Sequence, residues 1–324
     1  MIISQTPYRV SFAGGGTDLP AYYREEPGAV LSTTIEHYVY VHVHKRFEPN
    51  IRIAYSRTEI ANSVDEIQHE LVREAMKLVG IAEPLEITTI GDVPAGTGMG
   101  SSSTLTVGLL HALYAYRGRV VSLERLAEEA CQIEIDILGK PIGRQDQYAA
   151  SLGGVNYIQF YPDDTVKVEP VPCGGRMLQE LERHMLLIYT NITRSADEIL
   201  KEQSRSTMAN ISILRQMRDL VDPMRHSLTG LGDMREFARL LNEGWKLKRL
   251  LTPGISTGPI NDLYEQARQA GAEGGKLLGA GGGGFLLLIA PPDRHHSIRE
   301  ALRHPRELPF RFARHGSRII YYHD

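Results

Sequence analysis

The sequence of 324 residues predicts an α+β protein in two domains. Three observations carry that reading. Strand-like runs dominate the first 60 residues and helix-like runs dominate 196 to 270, without the regular strand–helix alternation of a doubly wound sheet. A Pro- and Gly-rich patch (Pro170, Pro172, Gly174, Gly175) divides the chain, so the domains are read as 1–172 and 173–324. A glycine-rich segment, Pro94 to Ser103, joins a strand pattern to a helix pattern inside the first of them.

Taken in order, Tyr38 to His44 alternates with Val39, Val41 and Val43 on one face, the period-2 signature of a strand. Ile51, Ile53 and Tyr55 continue in that style. A helix is expected from Ser63 to Leu78, ended by Gly80, and a strand over Leu85 to Ile90. The helix after the glycine segment runs to about Gly118. Ser122 is a candidate N-cap with Glu124 in the first turn, and Leu126, Ala130, Ile133 and Ile137 form an apolar stripe ending at Gly139. Gly153 to Val171 reads as strand and turn. In the second half, a strand is expected at Leu186 to Tyr189 and helices at Ala196–Leu220, Met234–Leu250 and Gly258–Ala270. Then come a glycine turn, the strand Phe285–Ala290, a basic helix and a last strand over Ile319–Tyr322.

Charged residues at 23% and hydrophobic ones at 42% are ordinary for a soluble globular protein. A net charge of −3 argues against a dedicated nucleic-acid binder. Two cysteines, Cys131 and Cys173, suit thiols in a reducing cytoplasm better than a disulfide framework. Met1 to Gln5 lacks the basic and apolar regions of a signal peptide, and no apolar run nears the roughly 20 residues needed to span a bilayer. No nucleic-acid or membrane partner is expected, and a homodimer is the candidate assembly.

The segment Pro94-Ala95-Gly96-Thr97-Gly98-Met99-Gly100-Ser101-Ser102-Ser103 carries the most chemistry. Glycines let bare backbone approach a phosphate. The helix that follows offers unpaired N–H groups and the positive end of its dipole, and the hydroxyls add hydrogen bonds or a metal ligand. No Lys follows the last glycine, so this is not the common P-loop. A loop that merely caps a structural helix is the alternative; a bound polyphosphate, ATP, is the expectation.

Three further clusters matter. Arg9 to Asp18 reads as a strand ending in Gly14-Gly15-Gly16, then Thr17 and a carboxylate, Asp18, placed to accept hydrogen bonds from substrate hydroxyls. Arg9 could neutralise phosphate charge; a hairpin turn with a surface Arg is the alternative. Gly143-Arg144-Gln145-Asp146-Gln147 places a carboxylate after a glycine-bounded helix end, where it is either a proton acceptor or an N-cap. Glu134 and Asp136 are two apart on the preceding helix, so at most one faces a site. Glu134 with a loop hydroxyl would suit Mg²⁺, though a solvated helix face explains either acid. Gly279 to Gly284 permits close backbone packing or a loop around substrate. His37, His42 and His44 have no Cys or acidic partners spaced for a metal site and read as exposed strand residues.

Together, in this order and spacing, the clusters resemble the GHMP small-molecule kinases. Pro94 to Ser102 matches that family's Pro-x-x-x-Gly-Leu-Gly-Ser-Ser loop with Met99 for Leu, Arg9 and Asp18 match its N-terminal motif, and Gly279 to Gly284 its C-terminal glycine motif. Pro7 to Asp18, Gly143 to Ala150, Asn191 to Ala196 and Trp245 to Lys248 look like the branch acting on D-glycero-D-manno-heptose 7-phosphate at the anomeric hydroxyl. The Gly-Glu-His-Thr-Asp motif of galactokinases is missing.

The resemblance implies an N-terminal domain like the second domain of ribosomal protein S5 and a ferredoxin-like C-terminal domain. It implies Asp146 as catalytic base, Arg9 beside it, and Ser102 and Glu134 as Mg²⁺ ligands. Pro94, Gly96, Thr97, Gly98, Met99, Gly100, Ser101, Ser102 and Ser103 would hold ATP. Gly15, Gly16, Thr17, Asp18, Arg194, Gly282 and Gly283 would bind a sugar phosphate. Arg24, Lys140, Arg144 and Arg194 are candidates for a terminal phosphate. Another sugar kinase of the family (galactose, fucose or mannose), or a non-catalytic sugar and nucleotide sensor, is the rival reading.

Overall fold

The computed structural model describes residues 1–192, 196–230 and 232–323. Its larger sheet starts with β1 (Ile2–Ala13), which turns through the short α1 (Pro20–Tyr23) into the long β2 (Gly28–Lys45). β3 (Ile51–Ala54) and β4 (Thr58–Ala61) follow, then α2 (Glu70–Val79) and β5 (Leu85–Gly91). Val39, Val41 and Val43 are all buried, so the alternation seen in the sequence is the core face of β2.

The glycine loop then enters α3 (Ser101–Tyr116), followed by α4 (Leu123–Cys131), α5 (Gln145–Leu152), β6 (Asn156–Phe160) and β7 (Val166–Pro170). α3 buries residues around most of its circumference, among them Thr104, Val107, Leu109, Leu110, Ala112 and Leu113. That marks a central helix rather than a surface one. Gly108 lets it lie on β1, where a Cβ would come 3.0 Å from the Thr6 hydroxyl.

The second half contains α6 (Gly175–His184), β8 (Met185–Tyr189), α7 (Ala196–Arg205), α8 (Ile211–Asp219), α9 (Val221–Ser227) and α10 (Met234–Lys248). It continues with α11 (Gly258–Gln269), β9 (Gly274–Leu277), β10 (Phe285–Ile289), α12 (His295–Ala301) and β11 (Arg318–Tyr322). The strands β8, β10 and β9 form a small antiparallel sheet. The larger sheet runs β11-β1-β2-β5-β3-β4, with β6 on the first part of β2 and β7 on β6.

Three sequence expectations change. The helix expected from Ser63 starts at Glu70, because Glu59 and Glu66 accept hydrogen bonds from the Gln68 and Asn62 backbone N–H groups and hold 62–68 in turns. The helix expected over 196–220 is broken after Arg205. There the Ser206 and Thr207 hydroxyls donate back to the Glu202 and Gln203 carbonyls and compete with helix continuation. The last strand returns to the first sheet beside β1, so the unit 173–324 gives up its C-terminal strand to the N-terminal half.

The two halves share a core. Phe12 of β1 meets Phe237 of α10 edge-on, with ring centroids 5.1 Å apart. Lys276 of β9 donates to the Ser11 and Phe12 carbonyls at 2.9 and 3.2 Å. These contacts fix the cleft between the sheets.

Candidate active site

A cavity of about 600 Å³ opens between the halves. Its floor is the glycine loop. Gly96, Gly98 and Gly100 have φ of +77°, +79° and +76°, a conformation that strains any residue with a Cβ. Gly100 caps α3, and the first turn, Ser101 to Ser103, presents its N–H groups to the cavity. Thr97 and Met99 are fully buried and point away: the Thr97 hydroxyl donates to the Pro94 carbonyl, and Met99 joins the core. These two contribute backbone, not side chains, to the loop's open face.

Arg9 connects this floor to Asp146. Its Nε and Nη2 donate to the two carboxylate oxygens at 2.5 and 2.7 Å, and Nη1 donates to the Gly98 carbonyl at 2.6 Å. The strand puts Arg9 there, since its backbone N–H also donates to the Met99 carbonyl. Asp146 lies in the first turn of α5, and a Cβ on Gly100 would sit 3.2 Å from its Oδ2. Base candidate and glycine loop are therefore neighbours.

Glu134 reaches the loop by an unexpected route. After α4 the chain widens into a π-helical turn over Gln132–Ile137. Glu134 thereby turns inward and is fully buried, whereas Asp136 and Ile137 face solvent. The apolar stripe expected to reach Ile137 ends at Ile133 for that reason. The Ser102 hydroxyl donates to Glu134 Oε1 at 2.5 Å and Gln147 Nε2 donates to Oε2 at 2.8 Å. Burial pushes the Glu134 carboxyl up, against hydrogen bonds from Ser102, Ser103 and Gln147 that pull it down. A buried carboxylate without an ion pair among the described residues, beside a hydroxyl at the end of the glycine loop, is a donor set that fits Mg²⁺. No three His, Cys, Asp or Glu residues group around a cation site among those described, so phosphates and water would complete the shell.

The candidate acceptor side is built on the turn after β1. Gly16 N–H donates to Asp18 Oδ1 at 2.8 Å, and Gln145 N–H approaches Oδ2 at 3.4 Å. Burial raises the Asp18 carboxyl, and the Asp146 charge adds to the shift. Gly15, Gly16 and Asp18 line the cavity. Thr17 does not: its hydroxyl is consumed by the Gly14 and Ala29 carbonyls and the Ala29 N–H, so it holds the turn instead of a substrate.

The C-terminal glycine motif also differs from expectation. Gly279 and Ala280 line the cavity, not Gly282 and Gly283. Gly282 N–H donates to the Ile255 carbonyl as the chain folds back toward β10. The motif's close packing is real: Cβ atoms on Gly279 and Gly284 would come within 2.4 Å of Gly98 Cα and 2.3 Å of the Thr97 carbonyl oxygen.

Of the basic candidates, Arg144 and Arg24 both turn to Asp164, and Lys140 lines the cavity but pairs with Glu70 at 2.8 Å. Arg194 lies outside the described residues. Sequence reasoning missed Ser11, Gln145 and Gln203 as site residues, although all three line the cavity. The Ser11 hydroxyl and Gln145 Oε1 are buried without a partner, a pattern only the folded chain reveals. It also missed Lys248 and Lys276, whose sequence signal was a lysine in phase with an apolar stripe and one within a strand.

The GHMP kinases N terminal domain model matches residues 64–154, and the GHMP kinases C terminal model matches 224–306. A D-glycero-alpha-D-manno-heptose 7-phosphate kinase of Campylobacter jejuni is 31% identical over 93% of both chains. The chain belongs to the GHMP kinases. An L-fucokinase/L-fucose-1-P guanylyltransferase of Bacteroides fragilis is 28% identical over 87% of this GHMP kinase but only 34% of its own length. Among solved structures, a D-glycero-D-manno-heptose 1-phosphate kinase from Bacteroides thetaiotaomicron superposes over 100% of both chains with a TM-score of 0.83 at 28% identity. A Streptococcus pneumoniae phosphomevalonate kinase, 16% identical, shares the fold with a TM-score of 0.77 over 99% of this chain and 100% of its own. The protein is thus an ATP-dependent phosphotransferase of the two-domain GHMP fold. No helix among the described residues is long and apolar enough to cross a membrane.

Proposed function

We propose that this GHMP kinase transfers the γ-phosphoryl group of ATP to the anomeric hydroxyl of D-glycero-D-manno-heptose 7-phosphate, giving the 1,7-bisphosphate. The observation that carries the sugar assignment is the 31% identity with the Campylobacter heptose kinase, which covers 93% of both chains. The fucokinase and mevalonate kinase relatives have lower identities or partial coverage.

The geometry supports a direct transfer. Phosphoryl transfer needs in-line positioning and charge neutralisation more than covalent help from protein. Backbone from Gly96 to Ser103 grips the triphosphate. Asp18 orients the sugar through hydroxyls, with Gly15 and Gly16 giving it room. Asp146 accepts the proton of the attacking hydroxyl while its carboxylate is held in one orientation by Arg9. Ser102 and Glu134 hold Mg²⁺, which when bound neutralises charge on the nucleotide phosphates. An anomeric hydroxyl is more acidic than an ordinary alcohol, so modest help from the base is enough. The intact set of Asp146, Glu134 and Ser102 speaks against a non-catalytic sensor. The product fits a supply of activated heptose for a bacterial surface glycan, made in the cytoplasm, with a homodimer as the proposed assembly.

An ADP-release assay with ATP, Mg²⁺ and a sugar panel tests the reading. Heptose 7-phosphate should be the best acceptor. Equal or better turnover of galactose, fucose or mannose without a terminal phosphate would assign another sugar kinase, and no turnover of any sugar would leave the sensor.

A further inference from the structure

α10 carries a buried stripe, Phe237, Leu241 and Trp245, and the next position in phase is Lys248. Lys248 is 6% exposed and lines the catalytic cavity. Its ammonium donates to the Gly279 carbonyl and makes no ion pair among the described residues. An ammonium has three donors, so the others are available to a ligand. Gly279 packs directly on Gly98 of the phosphate loop. Lys248 is thereby tethered to the backbone that closes over the loop, within reach of the fields of Arg9, Asp18 and Asp146.

A buried cation without a carboxylate partner is costly, and it persists where it serves an anion that the free protein lacks. The family's expected neutraliser, Arg9, is largely occupied. Three of its N–H groups are spent on Asp146 and on the Gly98 carbonyl. Beyond what bound Mg²⁺ would neutralise, the charge that develops on the oxygens of a migrating phosphoryl group has room for a second protein cation.

We propose that the Lys248 ammonium contacts the phosphoryl group during transfer, a catalytic residue supplied by α10 from the C-terminal half. The proposal rests on the kinase reading above, with Asp146 as proton acceptor. In that step the acceptor oxygen bonds to the γ-phosphorus, and the bond from phosphorus to the β–γ bridging oxygen breaks. Its electron pair leaves with ADP, and the hydroxyl proton passes to Asp146. Lys248 stays protonated throughout.

The groups facing Lys248 are Arg9 of β1, Asp18 of the following turn, Asp146 of α5 and Lys276 of β9. Burial and Arg9 bring its ammonium down to about 8, with Asp18 and Asp146 acting the other way. Losing that proton would remove the charge.

The test compares wild type with Lys248→Met and Lys248→Arg, using ATP and heptose 7-phosphate, with thermal unfolding to verify that both variants fold. The Met variant should lose about 10²–10³-fold in kcat, the range for removing one donor to developing charge, with sugar KM and ADP affinity near wild type. ADP with aluminium fluoride and the sugar phosphate should bind wild type more tightly than ADP does, and the Met variant should lose that gain. In wild type kcat/KM should fall as pH rises through about 8. The Arg variant should keep part of the activity and lack that alkaline limb, because guanidinium stays charged. Wild-type kcat in the Met variant, a loss confined to sugar KM, or an undiminished fluoroaluminate gain would overturn the proposal. If wild type turns over no sugar phosphate, the functional reading fails instead, and the fluoroaluminate titration with ADP still decides Lys248.

Discussion

Arg9 holds Asp146 by both carboxylate oxygens, at 2.5 and 2.7 Å, and reaches the Gly98 carbonyl at 2.6 Å with its remaining amino group. One side chain therefore sets the distance between the proposed proton acceptor and the proposed phosphate loop. Replacing Asp146 with Asn keeps the shape and removes the base. The expected result is a fall in kcat of about 10²–10⁴, the usual worth of general-base help, with ATP-analogue affinity near normal. Wild-type turnover in that variant removes Asp146 from the mechanism.

Arg9→Lys keeps the charge but not the two-pronged geometry, and such a swap is not conservative. Losing a charge-assisted hydrogen bond costs about 1.5–3 kcal/mol, so kcat should drop about 10–100-fold. Steady-state kinetics with thermal unfolding separates this from misfolding. Unchanged kcat would mean that Asp146 keeps its orientation without the fork.

Gly96 and Gly98 share nearly the same φ but differ in space. A Cβ on Gly96 meets nothing within 4 Å, whereas one on Gly98 would lie 2.5 Å from the Leu278 carbonyl oxygen. Gly96→Ala should cost only the left-handed backbone penalty, about 1–2 kcal/mol. Gly98→Ala should cost more, because the C-terminal glycine motif must move away from the loop. Denaturant unfolding ranks the two, and nucleotide affinity should follow the same order. Equal losses would show that the contact with Leu278 yields freely.

Much of this was legible from residue types. The glycine loop stands out because glycines at alternate positions ahead of three hydroxyls have few structural uses, whereas Arg9, Asp18 and Asp146 each had an ordinary structural reading and were singled out by the resemblance of the clusters taken together. What stayed hidden depends on three-dimensional packing. Glu134 looks like a helix-face acid until the π-helical turn rotates it inward. Thr17 looks like a ligand until its hydroxyl is seen between Gly14 and Ala29. The return of β11 to β1 pairs the chain's two ends, and no local pattern encodes a pairing of such separation.

The buried carboxylates make stability depend on pH in a definite sense. Burial raises Glu134 and Asp18 above their ordinary values. The folded state then binds more protons than the unfolded chain between the ordinary and raised values, so stability falls as pH rises through that window. Below it, both groups are protonated in both states and the stabilisation is fully present. Metal-free protein should therefore lose stability with rising pH across the window, and Glu134→Gln should flatten part of the slope. The same variant should lose the rise in Tm that Mg²⁺ with ADP gives wild type. Thermal scans across pH, with and without Mg²⁺ and ADP, read both effects. A Glu134→Gln variant still stabilised like wild type by Mg²⁺ and ADP would take Glu134 out of the metal site.

Asp18 and Gly143 give a paired test of the acceptor pocket. A Cβ on Gly143 would lie 1.9 Å from Asp18 Oδ2, so Gly143→Ala must displace the carboxylate while leaving its charge in place. Asp18→Ala removes the carboxylate and leaves Gly143 alone. If Asp18 holds sugar hydroxyls, both variants should weaken sugar binding by on the order of 1–3 kcal/mol, the cost of leaving buried polar groups unpaired. Neither should alter ATP-analogue affinity much, because the phosphate loop is anchored independently by Arg9 and by Gly279. Calorimetry on each ligand separately measures this. The Gly143 variant matters more, since a sugar affinity equal to wild type there would mean that the position of Asp18 is irrelevant, and with it the assignment of this turn to the acceptor.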